Sequence, residues 1–450
     1  MLRAIWFLIK LSAVIAVAVW LVQSPGHVEI VWRGYLIETS ASVLAIALVL
    51  IMALWTGIYR LWRAFVTVPV AFRRYKVAND REKGYRAVTE GLVAIAAGDG
   101  QAAEKFAKRA EEMIPGTPLT RLLTAQTALL NGNAPKARRE FANLLEDDSA
   151  AFFGVRGLLN ETLAEGDYRE ALTLARRADQ LQPKRVWVLR TLFDLETKNR
   201  DWVKAEKTLR RAEKLGIYSR DEGSRHRQAI WTALALETGG PTAARYCESA
   251  LSLNAGFIPA AVLLAKLYDQ AGTKRSAMKT IQSAWAVNPH PALATLWMAY
   301  MPAPKKAKSI YDAGREYYDW MKQLTDLDPA HRDSNRALGA SAIQGRMWKE
   351  ARELLLKAMD YKALAKLERE ESGNEAAARE WLELASEAAP DPRWVCGACG
   401  HAANEWEALC PRCAAFDRIS WITPSLDVHA APARFALPEG GLISPPSTQA

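Results

Sequence analysis

Four of the five cysteines in this 450-residue chain fall close together, as Cys396-Gly-Ala-Cys399 and Cys410-Pro-Arg-Cys413. Two C-x-x-C pairs supply four thiolates, the donor set that a tetrahedral zinc or iron ion needs. Cys396, Cys399, Cys410 and Cys413 are therefore the candidate ligands of one zinc or iron ion, zinc being favoured. Each pair can form a knuckle whose turn N–H groups donate to the sulfurs and offset thiolate charge. The gap between the pairs is shorter than in common zinc ribbons, so the expectation is a miniature module stabilised mainly by its metal. Four thiolates leave no open position for a substrate water, which favours a structural role. Trp394, Trp406, Phe416 and Trp421 are available to cover the site. The arrangement Cys396-Gly-Ala-Cys399-Gly400-His401 misses the C-x-x-C-H haem attachment pattern by one inserted residue. Cys410-Pro411 could offer a thiolate to haem iron, but its place in the second knuckle makes that a minor reading. Five cysteines are too few for a disulfide scaffold, and their clustering favours metal and a reducing compartment.

The elements that must position this site are repeats. Gly98, Gly132 and Gly166 stand 34 residues apart, and Ala103, Ala137, Ala171 and Ala205 keep the same step. The anchors continue, after a slip, at Ala243 and Ala277. Four residues after the anchors lie Ala107, Phe141, Ala175, Leu209, Cys247 and Ile281; seven after lie Ala110, Leu144, Ala178, Ala212, Ala250 and Ala284. Offsets of zero, four and seven share one helix face, so each unit carries a stripe to bury. The Gly-Asp or Gly-Asn before each stripe turns the chain from the preceding helix. A period of about 34 residues in a helix–turn–helix unit is that of tetratricopeptide repeats. Such units stack into a superhelix with a partner-binding groove, because one alone cannot bury its face. Gly98-Asp-Gly100 imitates a dinucleotide fingerprint, but no strand precedes it and Gly98 is in register with the other turns. Cys247, on the stripe, reads as a buried small hydrophobe. A degenerate repeat closes at Leu327-Asp-Pro329, and two more stripes follow: Ala351, Leu355, Ala358 and Ala378, Leu382, Ala385. The aromatic run Tyr311, Tyr317, Tyr318, Trp320 fits either a partner surface or the packing of an irregular repeat.

The N-terminus has a different character. Runs at 4–22 and 41–59 are apolar and each about the length that crosses a bilayer as a helix. No small-x-small cleavage site precedes Gln23 and a second run follows, so the first reads as a span rather than a signal peptide. Lys10 lies within reach of the interface. Between the runs only Arg33 is a firm cation, whereas Arg60, Arg63, Arg73, Arg74, Lys76, Arg81, Lys83 and Arg86 follow the second. The positive-inside rule places that cluster, both termini and the repeats in the cytoplasm. Anionic lipid headgroups, not nucleic acid, are the expected partners of these cations, because they adjoin a span.

The chain thus divides into a two-span hairpin (1–62), a basic linking helix (63–97), a repeat solenoid (98–390), a four-cysteine module (391–424) and a disordered tail rich in Pro, Ala, Gly and Ser (425–450). The expected fold class is all-α, with a small metal module appended. A composition of 50% hydrophobic and 24% charged residues is ordinary for folded protein, and the net charge of +9 is modest. The six histidines are scattered and no nucleophile–base arrangement is visible, which argues against an enzyme.

The N-terminal hairpin, with His27-Val-Glu-Ile-Val-Trp-Arg-Gly-Tyr35 between its spans, the basic exit and the helical repeats resemble the HemY family over roughly residues 1–390. The resemblance implies a bacterial inner-membrane tetratricopeptide protein associated with haem (protoporphyrin) biosynthesis, and it carries over no catalytic residues. The terminal cysteines, with Trp394, Pro411 and Phe416-Asp417, resemble the rubredoxin-like module of LapB-type envelope regulators, which typically have a single span. A flavin enzyme of porphyrin oxidation has also borne the HemY name, but no strand-borne glycine fingerprint supports that activity here. The expected function is a non-enzymatic scaffold that gathers partner proteins, haem-pathway enzymes among them, at the cytoplasmic membrane face. The alternatives are a LapB-like adaptor regulating envelope lipid synthesis and a rubredoxin-like electron-transfer protein.

Overall fold

The computed structural model describes residues 26–32, 35–302 and 310–424, with isolated positions before residue 26. The expected first span, most of the Pro- and Lys-rich stretch after Met301, and the tail 425–450 lie outside the described residues. The chain forms two compact units, Met1–Ala94 with Gln101–Thr120, and Ile95–Gly100 with Arg121–Ala450.

In the first unit, the segment expected as a plain loop between spans is a β-hairpin. His27–Trp32 pairs antiparallel with Tyr35–Ser40, His27 opposite Ser40 and Trp32 opposite Tyr35. The overlooked signal is the alternation Val28-Glu29-Ile30 and Ile37-Glu38-Thr39 on either side of a two-residue connection. A single helix, Ala41–Ala96, then replaces the separate second span and linking helix. Apart from Pro69, nothing between Tyr59 and Tyr75 opposes helix, so the two segments run on as one. Its first part, Ala41–Arg63, has a mean hydropathy of 2.4, none of it is buried, and it is long and apolar enough to cross a membrane. Further along, Gly84, Ala87, Val88, Gly91 and Ala94 are buried at helical spacing, a stripe that changes the helix from apolar all round to one-faced. Gly84 admits Ile114: a Cβ there would lie 2.8 Å from Ile114 Cγ1.

The second unit is a run of helical hairpins. The complete ones begin with Ala151–Glu165 and Tyr168–Leu181, then Val186–Lys198 and Trp202–Lys214. Arg220–Thr238 pairs with Gly240–Leu253, and Ile258–Gln270 with Lys274–Trp285. Pro291–Ala299 pairs with Ile310–Thr325, Arg332–Gln344 with Trp348–Ala358, and Tyr361–Ser372 with Glu375–Glu387. The stripe residues from Ala137 to Ala284, Cys247 included, are all buried, which fits small side chains under close helix approach. Burial pushes the Cys247 thiol up to about 12, so it stays protonated and inert. Gly132 and Gly166 turn at φ of +72° and +80° with open space beside them, so backbone conformation and not crowding calls for glycine. The next residue caps the second helix: Asn133 accepts from the Lys136 N–H and Asp167 from those of Arg169 and Glu170. One step further, Arg200 takes the same left-handed turn at φ 58° without being glycine.

Three arginines recur in a role that the sequence does not announce. Arg121, Arg190 and Arg332, each in or preceding the core of a hairpin's first helix, donate to the carbonyls of Asn143, Ile217 and Ala358 at or just past the end of the second helix. They satisfy orphan carbonyls and lie favourably at the negative end of the helix dipole. Part of the aromatic run packs: Tyr318 and Trp320 lie against a buried cluster, while the Tyr311 side chain lies outside the described residues. Trp297 and Trp320 stack at 4.8 Å, and each indole N–H donates to the other's backbone carbonyl at 2.9 Å. The last expected stripe holds only in part: Ala378 is buried, but Leu382 is exposed. Among the described residues no helix follows Glu375–Glu387, so the outer face of this hairpin has no further helix of the stack to pack against there.

Candidate metal centre

The module is a three-stranded antiparallel sheet in which Arg393–Cys396 lies between Ala402–Ala403 and Ile419–Ile422. Both cysteine pairs sit on matching knuckles. In the first, the Gly400 N–H donates to the Cys396 carbonyl and the Cys396 N–H to the His401 carbonyl. In the second, the Ala414 N–H donates to Cys410 and the Cys410 N–H to Ala415. The residue after each pair has positive φ, 69° at Gly400 and 53° at Ala414. This tight turn aims both sulfurs of a pair in one direction. The Ala398 N–H reaches Cys396 Sγ at 3.4 Å.

The four sulfurs lie within 4.8 Å of one another. Cys396 and Cys413 Sγ are 3.8 Å apart, and Cys399 and Cys410 Sγ 3.7 Å. A disulfide would need about 2.05 Å. A regular tetrahedron with metal–sulfur bonds of about 2.3 Å has edges of about 3.8 Å, so the donor set fits a zinc- or iron-sized ion. The protonation chemistry agrees. Burial pushes the Cys396 thiol up and that of Cys413 up to about 12. Burial also acts on Cys410, but the Cys413 and Arg412 N–H groups, together with the Cys396 and Cys399 thiols, outweigh it and hold that thiol below its usual range. Cys396 and Cys413 keep their protons unless a cation takes the protons' place.

The aromatic residues expected to cover the site face the repeats as well. Phe416 meets Phe193 edge-on at 5.6 Å and lies 5.6 Å from the His226 ring and 6.0 Å from Trp202. Asp417 Oδ2 is 2.8 Å from His226 Nδ1. Trp406 packs edge-on against Phe257 at 5.5 Å. Trp394 and Trp421 enclose His290, at 5.7 and 4.4 Å. Asp391, at the module's entrance, accepts from Arg336 and Lys362, each at 3.1 Å. The cysteines were legible from their spacing. His226, Phe257 and His290 were not, because nothing in a lone histidine or phenylalanine says which distant segment it meets.

Fold and site together define a class: a tetratricopeptide-type helical protein with a four-cysteine module packed on its repeats. Residues 162–215 match a tetratricopeptide repeat family, and residues 26–149 match the family described as HemY protein N-terminus. The chain is 25% identical over 439 residues to the probable magnetosome protein Mms48 of Magnetospirillum gryphiswaldense, covering 94% of this chain and 93% of that protein. It is 27% identical over 146 residues to protein HemY of Escherichia coli K12, which is 32% of this chain and 37% of HemY. Among solved structures, Naa15/Naa10 bound to HypK-THB aligns with a TM-score of 0.41 at 16% identity, over 73% of this chain and 54% of that one. A tetratricopeptide repeat protein from Parabacteroides merdae aligns with a TM-score of 0.30 at 14% identity, over 62% of this chain and 99% of that one. The chain thus combines a region similar to the HemY N-terminus with a stretch similar to tetratricopeptide repeats.

Proposed function

We propose that this protein is a membrane-anchored, non-enzymatic scaffold associated with haem biosynthesis, which gathers partner proteins on its repeats at the cytoplasmic face of a bacterial inner membrane. The observation that carries the reading is the HemY-type match over residues 26–149, which takes in the apolar Ala41–Arg63 helix and runs into the first hairpins. Repeat surfaces bind other proteins by shape, and an anchor confines them where apolar porphyrin intermediates partition. Holding several partners on one array raises their effective concentration without new chemistry. The four cysteines carry a structural metal, zinc by preference. The cations that follow the span, Arg60 to Arg86, face anionic lipid on the cytoplasmic side.

Crosslinking in intact membranes, with mass spectrometry of captured proteins, identifies the partners. Deleting the gene should lower haem and raise porphyrin precursors while the isolated pathway enzymes keep normal turnover. A chain lacking residues 1–62 should keep its partners but fail to restore haem; full rescue by it would remove the anchor from the mechanism. A reporter after Arg86 should be cytoplasmic and one at Gly34 on the opposite side. A second reading, a role at the magnetosome, is favoured by the 94% of the chain that aligns with Mms48. Unchanged porphyrins with disturbed magnetosomes on deletion would select it.

A further inference from the structure

The module does not touch the repeats at a single point. Its contacts fall on six successive hairpins, and on each they include the first helix or the residue that caps it. These are Phe193, His226, Phe257, His290, Arg336 and Lys362. First helices of stacked hairpins line the surface on which repeat proteins take extended ligands. A segment of this chain already lies there. Its deepest contact has a definite chemistry: Phe193, Trp202 and His226 receive the Phe416 ring, while His226 Nδ1 meets the Asp417 carboxylate. The pair docked there is an aromatic ring followed directly by an acid.

The residues that dock are also tied to the metal ligands. Leu409 and Phe416 bridge across the loop that carries Cys410 and Cys413, and the Asp417 N–H donates to the Ala408 carbonyl. Trp394 stands two residues before Cys396 and pairs with Trp421 on the neighbouring strand. Without a cation, four sulfurs within 4.8 Å of one another no longer hold the two knuckles together. The docking side chains would then lose the frame that presents them at once.

We infer that the four-cysteine module is an intramolecular occupant of the repeat face between Val186 and Ala299, kept there by its metal, and that a partner segment bearing an aromatic–acidic pair competes for the same place. This rests on the scaffold reading for the existence of such a partner, but the occupancy and its metal dependence do not. They can be tested without partner or membrane function.

The experiment is hydrogen exchange on the full zinc-loaded chain in detergent, before and after chelation. Metal removal should speed exchange in Val186–Lys198 and Arg220–Thr238 by roughly tenfold or more, with Ala151–Leu181 unchanged. Phe416→Ala should produce the same local change while one zinc per chain is retained, and Asp417→Asn a smaller one. Unchanged exchange after chelation would overturn the proposal, since the module would then stay docked without metal. So would a uniform rise across all helices, which marks general destabilisation instead of an uncovered face. Loss of the haem phenotype or of captured partners would count against the scaffold reading alone.

Discussion

The repeats and the cysteine module face the same difficulty, too little apolar surface in one unit to stand by itself, and meet it differently. A hairpin such as Tyr168–Leu181 with its partner buries Ala171, Ala175 and Ala178 against neighbours built to the same plan. Its stability is shared along the stack, so damage stays local. The module has few core side chains, and chains below about 40 residues usually need metals or bridges to fold. Its order rests on four sulfurs and on ring contacts with helices hundreds of residues away in sequence, such as Phe416 on Phe193. Periodic structure tolerates single losses, whereas a structure centred on four sulfurs concentrates them.

The largest test of that contrast is loss of a ligand. Cys396→Ser or Cys413→Ser in the full chain should abolish tight binding of one metal per chain, removing on the order of 10 kcal/mol of binding free energy. Cys247→Ser should leave elemental analysis unchanged. A stoichiometric disulfide among the four cysteines, found after thiol trapping, would break the comparison at its root. Next comes Phe141→Ala. The ring is fully buried, and a Cβ on Gly157 would lie 2.4 Å from its Cδ1, so the cavity has little room to collapse. Urea unfolding should show a cost of roughly 3–5 kcal/mol, with metal content intact.

The third concerns the seam between the two regions. Burial lowers the pKa of His290 to about 4 from its usual 6.5. Its Nδ1 caps the next helix by accepting from Ala292, and Nε2 has no protein partner. The unfolded chain therefore takes up a proton in a range where the folded one does not. The contribution is complete above about pH 6.5 and is lost as pH falls toward 4, amounting to about 1.4 kcal/mol by pH 5.5. His290→Asn keeps the cap, so wild type should lose stability relative to this variant between pH 7 and 5.5 in urea titrations. The smallest effect sharpens the repeat side. Arg200 holds a left-handed turn at φ 58° that Gly132 and Gly166 hold without strain. Arg200→Gly should stabilise by about 0.5–1 kcal/mol in thermal unfolding.

What the sequence determined by itself is local and periodic. Spacings of 34, four and seven residues identified which side chains face inward, because a helix repeats every 3.6 residues and each unit repeats its neighbour. The two C-x-x-C pairs named their four sulfurs for a similar reason, since a knuckle is made within six residues. Helix continuity through Tyr59–Tyr75 and the hairpin at His27–Ser40 were less legible, as short segments carry weak signals and only one breaker, Pro69, marks the helix. Tertiary structure alone decided where the module rests. Phe193, His226, Phe257 and His290 meet residues some 130 to 220 positions away, and such pairings leave no period to read. They follow from shape and charge complementarity between surfaces that exist only once the hairpins have stacked and the knuckles have closed.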